Sequence, residues 1–144
     1  MTSRLEQVRD AVLSHPFHAA CELQLETAAD GKAELRFPVN SFTGNPQGAL
    51  HGGILYALMD VACFFAVMTL LEAHEHAVSI EVNTSVLRAA RPGEQVRLNS
   101  HVDRRGRTLA AMRCEAHAID ADGKSRLIAT GNVTKSILVT PEPA

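Results

Sequence analysis

Several kinds of protein are excluded by what this sequence does not contain. It has no basic excess: 14 Lys and Arg stand against 16 Asp and Glu, a formal net charge of −2, so overall charge gives no argument for a nucleic-acid partner. Cysteine is scarce. Cys21, Cys63 and Cys114 are odd in number, far apart and outside any ligand-like pair. They read as reduced core residues of a protein in a reducing, cytoplasmic compartment. The N-terminal segment carries Glu6 and Asp10 and lacks the unbroken apolar stretch and small-residue cleavage site of a signal peptide. A G-x-S-x-G elbow and a parallel-sheet pattern are both missing, which argues against a Ser-His-Asp hydrolase. His15, His18, His74, His76, His101 and His117 show no ligand spacing, so no metal is expected. There are no repeats, linkers or low-complexity segments, and 144 residues is the length of one domain with a sizeable core, read here as spanning 1–144.

Only one long hydrophobic run is present, the 18 residues from Ile54 to Leu71. It contains Asp60, and a carboxylate in mid-membrane is costly, so no membrane span is expected. The run is too long for an ordinary strand and rich in Leu, Ala and Met, which predicts a buried central helix from about 52 to 73. His74 and His76 then fall at its end, where a cation is mildly favoured. The helix is apolar on every side, so it must be enclosed on every side.

Elsewhere the period is two. Cys21, Leu23 and Leu25 alternate with polar residues, as do Leu35, Phe37 and Val39, with the hairpin signal Asp30-Gly31 between them. Ile80, Val82 and Val86 are expected on one face, and Val96, Leu98 and Val102 form the next set. Met112 to Ala118 alternate again, and 127–139 is rich in β-formers. Pro92-Gly93, Arg105-Gly106 and Asp122-Gly123 supply turns. Short connections without helices imply antiparallel pairing. Before these, Ser3 and Glu6 have capping-box spacing and predict a short N-terminal helix over about 3–14. The fold class is therefore α+β: an antiparallel sheet of five or six strands wrapped around one long helix, plus a short N-terminal helix.

Asp60 is the only charged residue between Ala49 and Glu72. A buried carboxylate needs hydrogen-bond partners, so Asp60 either pairs with a polar group of the core or has a chemical task. Gly52 and Gly53 at the helix start would leave backbone N–H groups free at the positive end of the dipole, where a carbonyl could become an oxyanion. Gly53 and Asp60 are seven residues apart, a rise of roughly 10 Å along one helix. A single helix cannot easily bring both to one carbonyl. Two antiparallel copies can, which predicts paired sites across a dimer axis.

The stretch Asn45-Pro46-Gln47-Gly48-Ala49-Leu50-His51-Gly52-Gly53, with Asp60 seven residues on, resembles the hotdog-fold acyl-CoA thioesterases of the phenylacetate-pathway type, in the wider 4-hydroxybenzoyl-CoA thioesterase superfamily. The likeness runs over roughly residues 15 to 138 and includes the strand at 78–94 and the Arg-Arg-Gly-Arg-Thr-Leu-Ala turn at 104–110. The resemblance implies a homodimer, commonly paired again into a tetramer. Asp60 would be general base or nucleophile on an acyl-CoA thioester held at the other subunit's helix start. Gly53 would donate its N–H to the thioester oxygen, His51 and Asn45 would shape that end, and Ser79 would help place the attacking water. No cofactor is implied, since CoA is part of the substrate.

His51 has a second reading as a helix cap, and Asn45 as a turn residue. Leu50, Tyr56, Phe64 and Phe65 are candidates to line the acyl pocket, and Gly52 is a further substrate-binding candidate. Arg88, Arg91, Arg104, Arg105 and Arg107 make a basic stretch that is either a solvated face or a holder of CoA phosphates. Two rivals to hydrolysis are an acyl-thioester hydratase or dehydratase using His51 and Asp60, and a non-catalytic acyl-CoA-binding module.

Overall fold

The period-two segments become strands because alternate apolar side chains all reach one face of a pleated sheet. The computed structural model describes residues 3–141; the expected domain limits at 1 and 144 lie outside the described residues. Its elements are α1 (Arg4–Leu13), α2 (Pro16–Ala20), β1 (Gln24–Ala29), β2 (Lys32–Pro38), α3 (Gly52–Met68), β3 (Glu75–Val86), β4 (Gln95–Arg105), β5 (Leu109–Ile119) and β6 (Ser125–Val139). The six strands form one antiparallel sheet in the order β1-β2-β4-β5-β6-β3. Leu35 and Phe37 of β2, Val96 and Leu98 of β4, and Met112, Cys114, Ala116 and Ala118 of β5 are buried in one core with α3. Ser100 continues the inward phase of β4 and is satisfied there, donating its hydroxyl to the Ala62 carbonyl of α3 at 2.7 Å. All three cysteines are free and buried. Burial pushes the Cys21 thiol up to about 11, and a hydrogen bond with Cys63, then burial, raises that of Cys114.

The capping box forms as its spacing predicts: Ser3 Oγ accepts from the Glu6 N–H at 3.1 Å, and the Glu6 carboxylate accepts from the Ser3 N–H at 2.9 Å. Between β1 and β2, Asp30 and Gly31 both take positive φ, 52° and 76°, as a two-residue hairpin of this kind requires.

Three expectations need correction. Cys21 and Leu23 are buried, but they precede β1. Pro16 opens the short helix α2 with His15 as its N-cap, Cys21 is its C-cap, and Glu22 turns the chain at φ 55°. Proline at the first helical position is a start signal, and the alternation across 21–25 masked it. The central helix stops at Met68, short of 73. Thr69 caps it: its hydroxyl donates to the Ala66 carbonyl at 2.8 Å and accepts the Gly31 N–H at 2.7 Å, tying the helix end to the β1–β2 turn. His74 therefore lies in the following turn and His76 within β3. Finally, Ile80, Val82 and Val86 do not share one unbroken alternation. A bulge falls between the Ser79–Lys135 and Glu81–Thr134 pairs, so Ser79 and Val82 stand opposite the inward residues Lys135 and Val133.

The enclosure of α3 is also incomplete within one chain. Gly53 and Tyr56 are exposed, and Ala57, Asp60, Val61 and Phe64 are only half-buried, a stripe at helical spacing that the sheet does not cover. Beside that stripe runs β3, an edge strand with exposed Val78, Ile80, Val82 and Val86. Among the described residues no helix is long and apolar enough to cross a membrane.

Candidate active site

Asp60 projects from the open stripe of α3, and two side chains from the sheet reach its carboxylate. The Ser79 hydroxyl donates to Asp60 Oδ1 at 2.6 Å. The Lys135 ammonium donates to the same oxygen at 3.1 Å and to Ser79 Oγ at 2.6 Å. Ser79 of β3 and Lys135 of β6 are direct register partners, so the two strands deliver them together. The Lys135 side chain is 3% exposed and that of Asp60 is 32% exposed. Phe64, one helical turn after Asp60, places its ring centroid 5.9 Å from the Lys135 nitrogen, within reach of a cation–π contact. Both donors fall on Oδ1. Oδ2 receives none among the described residues.

Lys135 is the member of this cluster that sequence reading missed. The signal was there: the inward phase of β6 runs Gly131, Val133, Lys135, Ile137, all buried. A lysine alone among apolar residues is as anomalous as an aspartate alone in an apolar helix.

At the other end of the stripe, His51 is the N-cap of α3, and its Nδ1 accepts the Gly53 N–H at 2.9 Å. That corrects the expectation that both glycine N–H groups are free. The Gly53 donor is occupied, whereas Gly52 has no acceptor among the described residues. With Nδ1 accepting, a neutral His51 carries its hydrogen on Nε2. Asn45 holds the preceding loop closed: its side-chain oxygen accepts the Gln47 and Ala49 N–H groups, each at 3.0 Å. Asn45, Leu50, Gly52, Tyr56 and Arg88 line one cavity of about 430 Å³ against the end of β3. Asp60, Phe64 and Gly53 do not line it. In one chain, then, the carboxylate and the cavity at the helix start are separate, as the helical rise between them demands.

A family model described as Thioesterase superfamily matches residues 47–123. Acyl-coenzyme A thioesterase 13 of Mus musculus is 30% identical over 141 residues, covering 95% of this chain and 96% of the mouse protein. The chain belongs to the thioesterase superfamily. A thioesterase family protein from Silicibacter pomeroyi superposes with a TM-score of 0.84 at 30% identity, covering 92% of this chain and 96% of its own. A mutant of the phenylacetic acid degradation protein PaaI from Thermus thermophilus superposes with a TM-score of 0.73 at 28% identity, covering 85% and 98%. The six-stranded sheet around one helix is thus the hotdog fold, and thioester hydrolysis is the chemistry to be accounted for.

The arginines of this thioesterase divide. Arg105 is not available to a phosphate: its guanidinium pairs with Glu75, whose carboxylate also accepts the Glu72 N–H at 2.9 Å. That backbone bond first, then Arg105, holds the Glu75 carboxyl below its ordinary value. Arg107 lies with Arg104 beside a second cavity at the β4–β5 turn, away from the helix start. Arg88 and Arg91 sit together beside Glu94 and Arg126. There Arg126 is committed to Glu94 through two bonds, of 2.6 and 2.8 Å. Neither Arg88 nor Arg91 makes a side-chain hydrogen bond or ion pair among the described residues, although the Arg91 charge is felt by Glu94; Arg88 lines the Asn45–Tyr56 cavity, and it shares the neighbouring cavity with Arg91.

The Glu94–Arg126 pair has a pH consequence. The Arg126 hydrogen bonds pull the Glu94 carboxyl from its ordinary 4.5 down to about 2. A carboxyl depressed on folding stabilises the protein fully above its unfolded pKa, and that contribution fades as pH falls toward the folded one. Urea midpoints are therefore expected to drop between about pH 4.5 and 2 in the native protein. Glu94→Gln should lower the midpoint at pH 7 and flatten its fall over that window. An unchanged slope in the variant would assign the acid lability to other carboxylates.

Proposed function

We propose that this protein hydrolyses acyl-CoA thioesters to the free acid and CoA, as a homodimer whose two sites each combine Asp60 of one copy with the α3 start of the other. The observation that carries this is the carboxylate with one oxygen saturated by Ser79 and Lys135 and the other free, on a helix face that its own sheet leaves open. In this reading Asp60 Oδ2 takes a proton from water as the water oxygen bonds to the carbonyl carbon. The carbonyl oxygen becomes an oxyanion at the partner's first helical turn, where Gly52 and Gly53 are the backbone donors. Gly53 is freed for this when the substrate oxygen displaces the His51 Nδ1 contact. Collapse breaks the C–S bond, and the thiolate takes the proton back from Asp60. If Asp60 attacked the carbonyl itself, the same free Oδ2 would serve.

Support for a dimer comes from three observations: the uncovered α3 stripe, the apolar edge strand beside it, and the separation of Asp60 from the helix-start cavity. An edge strand of twelve residues, paired with β6 on one side only, is a template for pairing, and an antiparallel pair of α3 helices would bring opposite ends together. A dimer of such dimers is the next assembly to test by light scattering. A hydratase would need His51 and Asp60 at one substrate carbon, and here they sit at different turns of α3 with His51 engaged as the cap. The spread, odd cysteine set supports a cytoplasmic location.

Thiol release across a panel of phenylacetyl-CoA, benzoyl-CoA and several aliphatic chain lengths tests the activity. Absence of turnover on every member, with the protein folded, would sink it. The same assay tests the CoA contact. Arg88→Ala with Arg91→Ala is expected to raise KM about tenfold with kcat nearly unchanged, as removal of uniform binding does. On an acyl-pantetheine, which lacks the nucleotide phosphates, the double variant should match wild type. Equal losses on both substrates would mean these arginines support the fold rather than CoA.

A further inference from the structure

Lys135 has no counterpart in the chemistry just described, yet its placement is costly and specific. It occupies an inward position of β6 between Val133 and Ile137, 3% exposed, where an aliphatic side chain would pack without desolvating a charge. Its polar contacts are two oxygens, Asp60 Oδ1 at 3.1 Å and Ser79 Oγ at 2.6 Å. An ammonium has hydrogens to give and no lone pair to accept with. Ser79 Oγ must therefore accept from Lys135, and its single hydrogen goes to Asp60 Oδ1 at 2.6 Å.

We propose that Lys135 is a positioning residue that locks the Ser79 hydroxyl so that it accepts from the attacking water and never donates to it. A serine free to rotate could hydrogen-bond to a water lone pair, the one that must reach the carbonyl carbon. With its hydrogen committed to Asp60 and one lone pair to Lys135, Ser79 offers the water only its remaining lone pair. The water then gives one hydrogen to Asp60 Oδ2 and the other to Ser79 Oγ, and its own lone pairs stay free for attack. Lys135 also keeps Oδ1 occupied, so Oδ2 is the oxygen that acts. The Phe64 ring centroid lies 5.9 Å from the ammonium, a further contact on the charge. This rests on the reading of Asp60 as the group that acts on the thioester.

The test is steady-state acyl-CoA hydrolysis, scored as free acid, by Lys135→Met, Ser79→Ala, the double variant and Asp60→Asn. Lys135→Met should lower kcat about 10- to 50-fold with KM within about twofold, the pattern of a group that matters in the transition state. In the Ser79→Ala background the same change should cost less than about threefold, because residues acting as one unit are not additive. In Lys135→Ala, added ethylammonium should restore kcat at least about fivefold and neutral ethanol should not, since only the cation can donate without accepting. That rescue should vanish when Ser79 is also alanine. A folded Lys135→Met with kcat within twofold of wild type, or losses that multiply in the double variant, overturns the proposal while leaving Asp60 in place. If Lys135→Met does not fold, Lys135→Ala decides: no rescue by the cation overturns the proposal. An active Asp60→Asn would instead remove the reading on which it rests.

Discussion

Asp60→Asn is expected to reduce kcat for acyl-CoA hydrolysis at least about a hundredfold, the range for losing a general base, with KM within about threefold. The amide is the same size and can still accept from Ser79 and Lys135, so substrate binding should survive while proton acceptance is lost. The variant has a second expected effect. Lys135 is 3% exposed, and without the carboxylate its charge has lost its counter-ion. An unpaired buried charge costs about 3–5 kcal/mol. Since Asp60 is 32% exposed and solvent screens its side of the pair, about 1–3 kcal/mol is the appropriate expectation here. Asp60→Asn with Lys135→Met should recover most of that stability and none of the activity. Thermal melts and thiol release on wild type, Asp60→Asn, Lys135→Met and the Asp60→Asn/Lys135→Met double variant read both effects. An Asp60→Asn enzyme within threefold of wild type would remove Asp60 from the chemistry, whatever the melts show.

Much of this architecture was legible because the signals were local. The capping box at Ser3 and Glu6, the Asp30-Gly31 turn and the inward phases of β4 and β5 each rest on a few neighbouring residues. Asp60 stood out for the same reason, one charge in an apolar run. What the sequence hid was set by contacts between distant segments. Nothing near Met68 ends the helix so clearly as Thr69 meeting the Gly31 N–H, 38 residues away. Arg105 read as a free cation until its pairing with Glu75 appeared. Lys135 is the instructive miss. It lies 75 residues from Asp60, and its strangeness is visible only once the phase of β6 is known. The His51 cap shows the reverse limit: the motif located the residue, and only geometry revealed that the Gly53 N–H is already in use.

Mixing two inactive variants should restore activity, and the amount restored identifies where each half of the site comes from. Asp60→Asn removes the carboxylate. Gly53→Val places a branched side chain where an added Cβ alone would stand 3.0 Å from the His51 ring, so it is expected to displace the cap and crowd the first turn of α3. Loss of such an oxyanion site costs about 10²- to 10³-fold in kcat. In a randomly reassorted equal mixture, half the dimers are mixed. If each site takes Asp60 from one copy and the helix start from the other, every mixed dimer has one site with both parts intact. About a quarter of all sites, and about a quarter of wild-type activity, should then return, as two-fold symmetry requires. If both parts came from the same copy, neither variant could supply a whole site and the mixture would stay inactive. Co-refolding the two chains and assaying the mixture against each variant alone distinguishes these outcomes by far more than the assay error. A mixture with no activity would refute the shared site while leaving Asp60→Asn to report on the carboxylate independently. The expected restoration follows from the roughly 10 Å that one helix puts between residues 53 and 60, a distance that one chain cannot shorten and a second, antiparallel copy can.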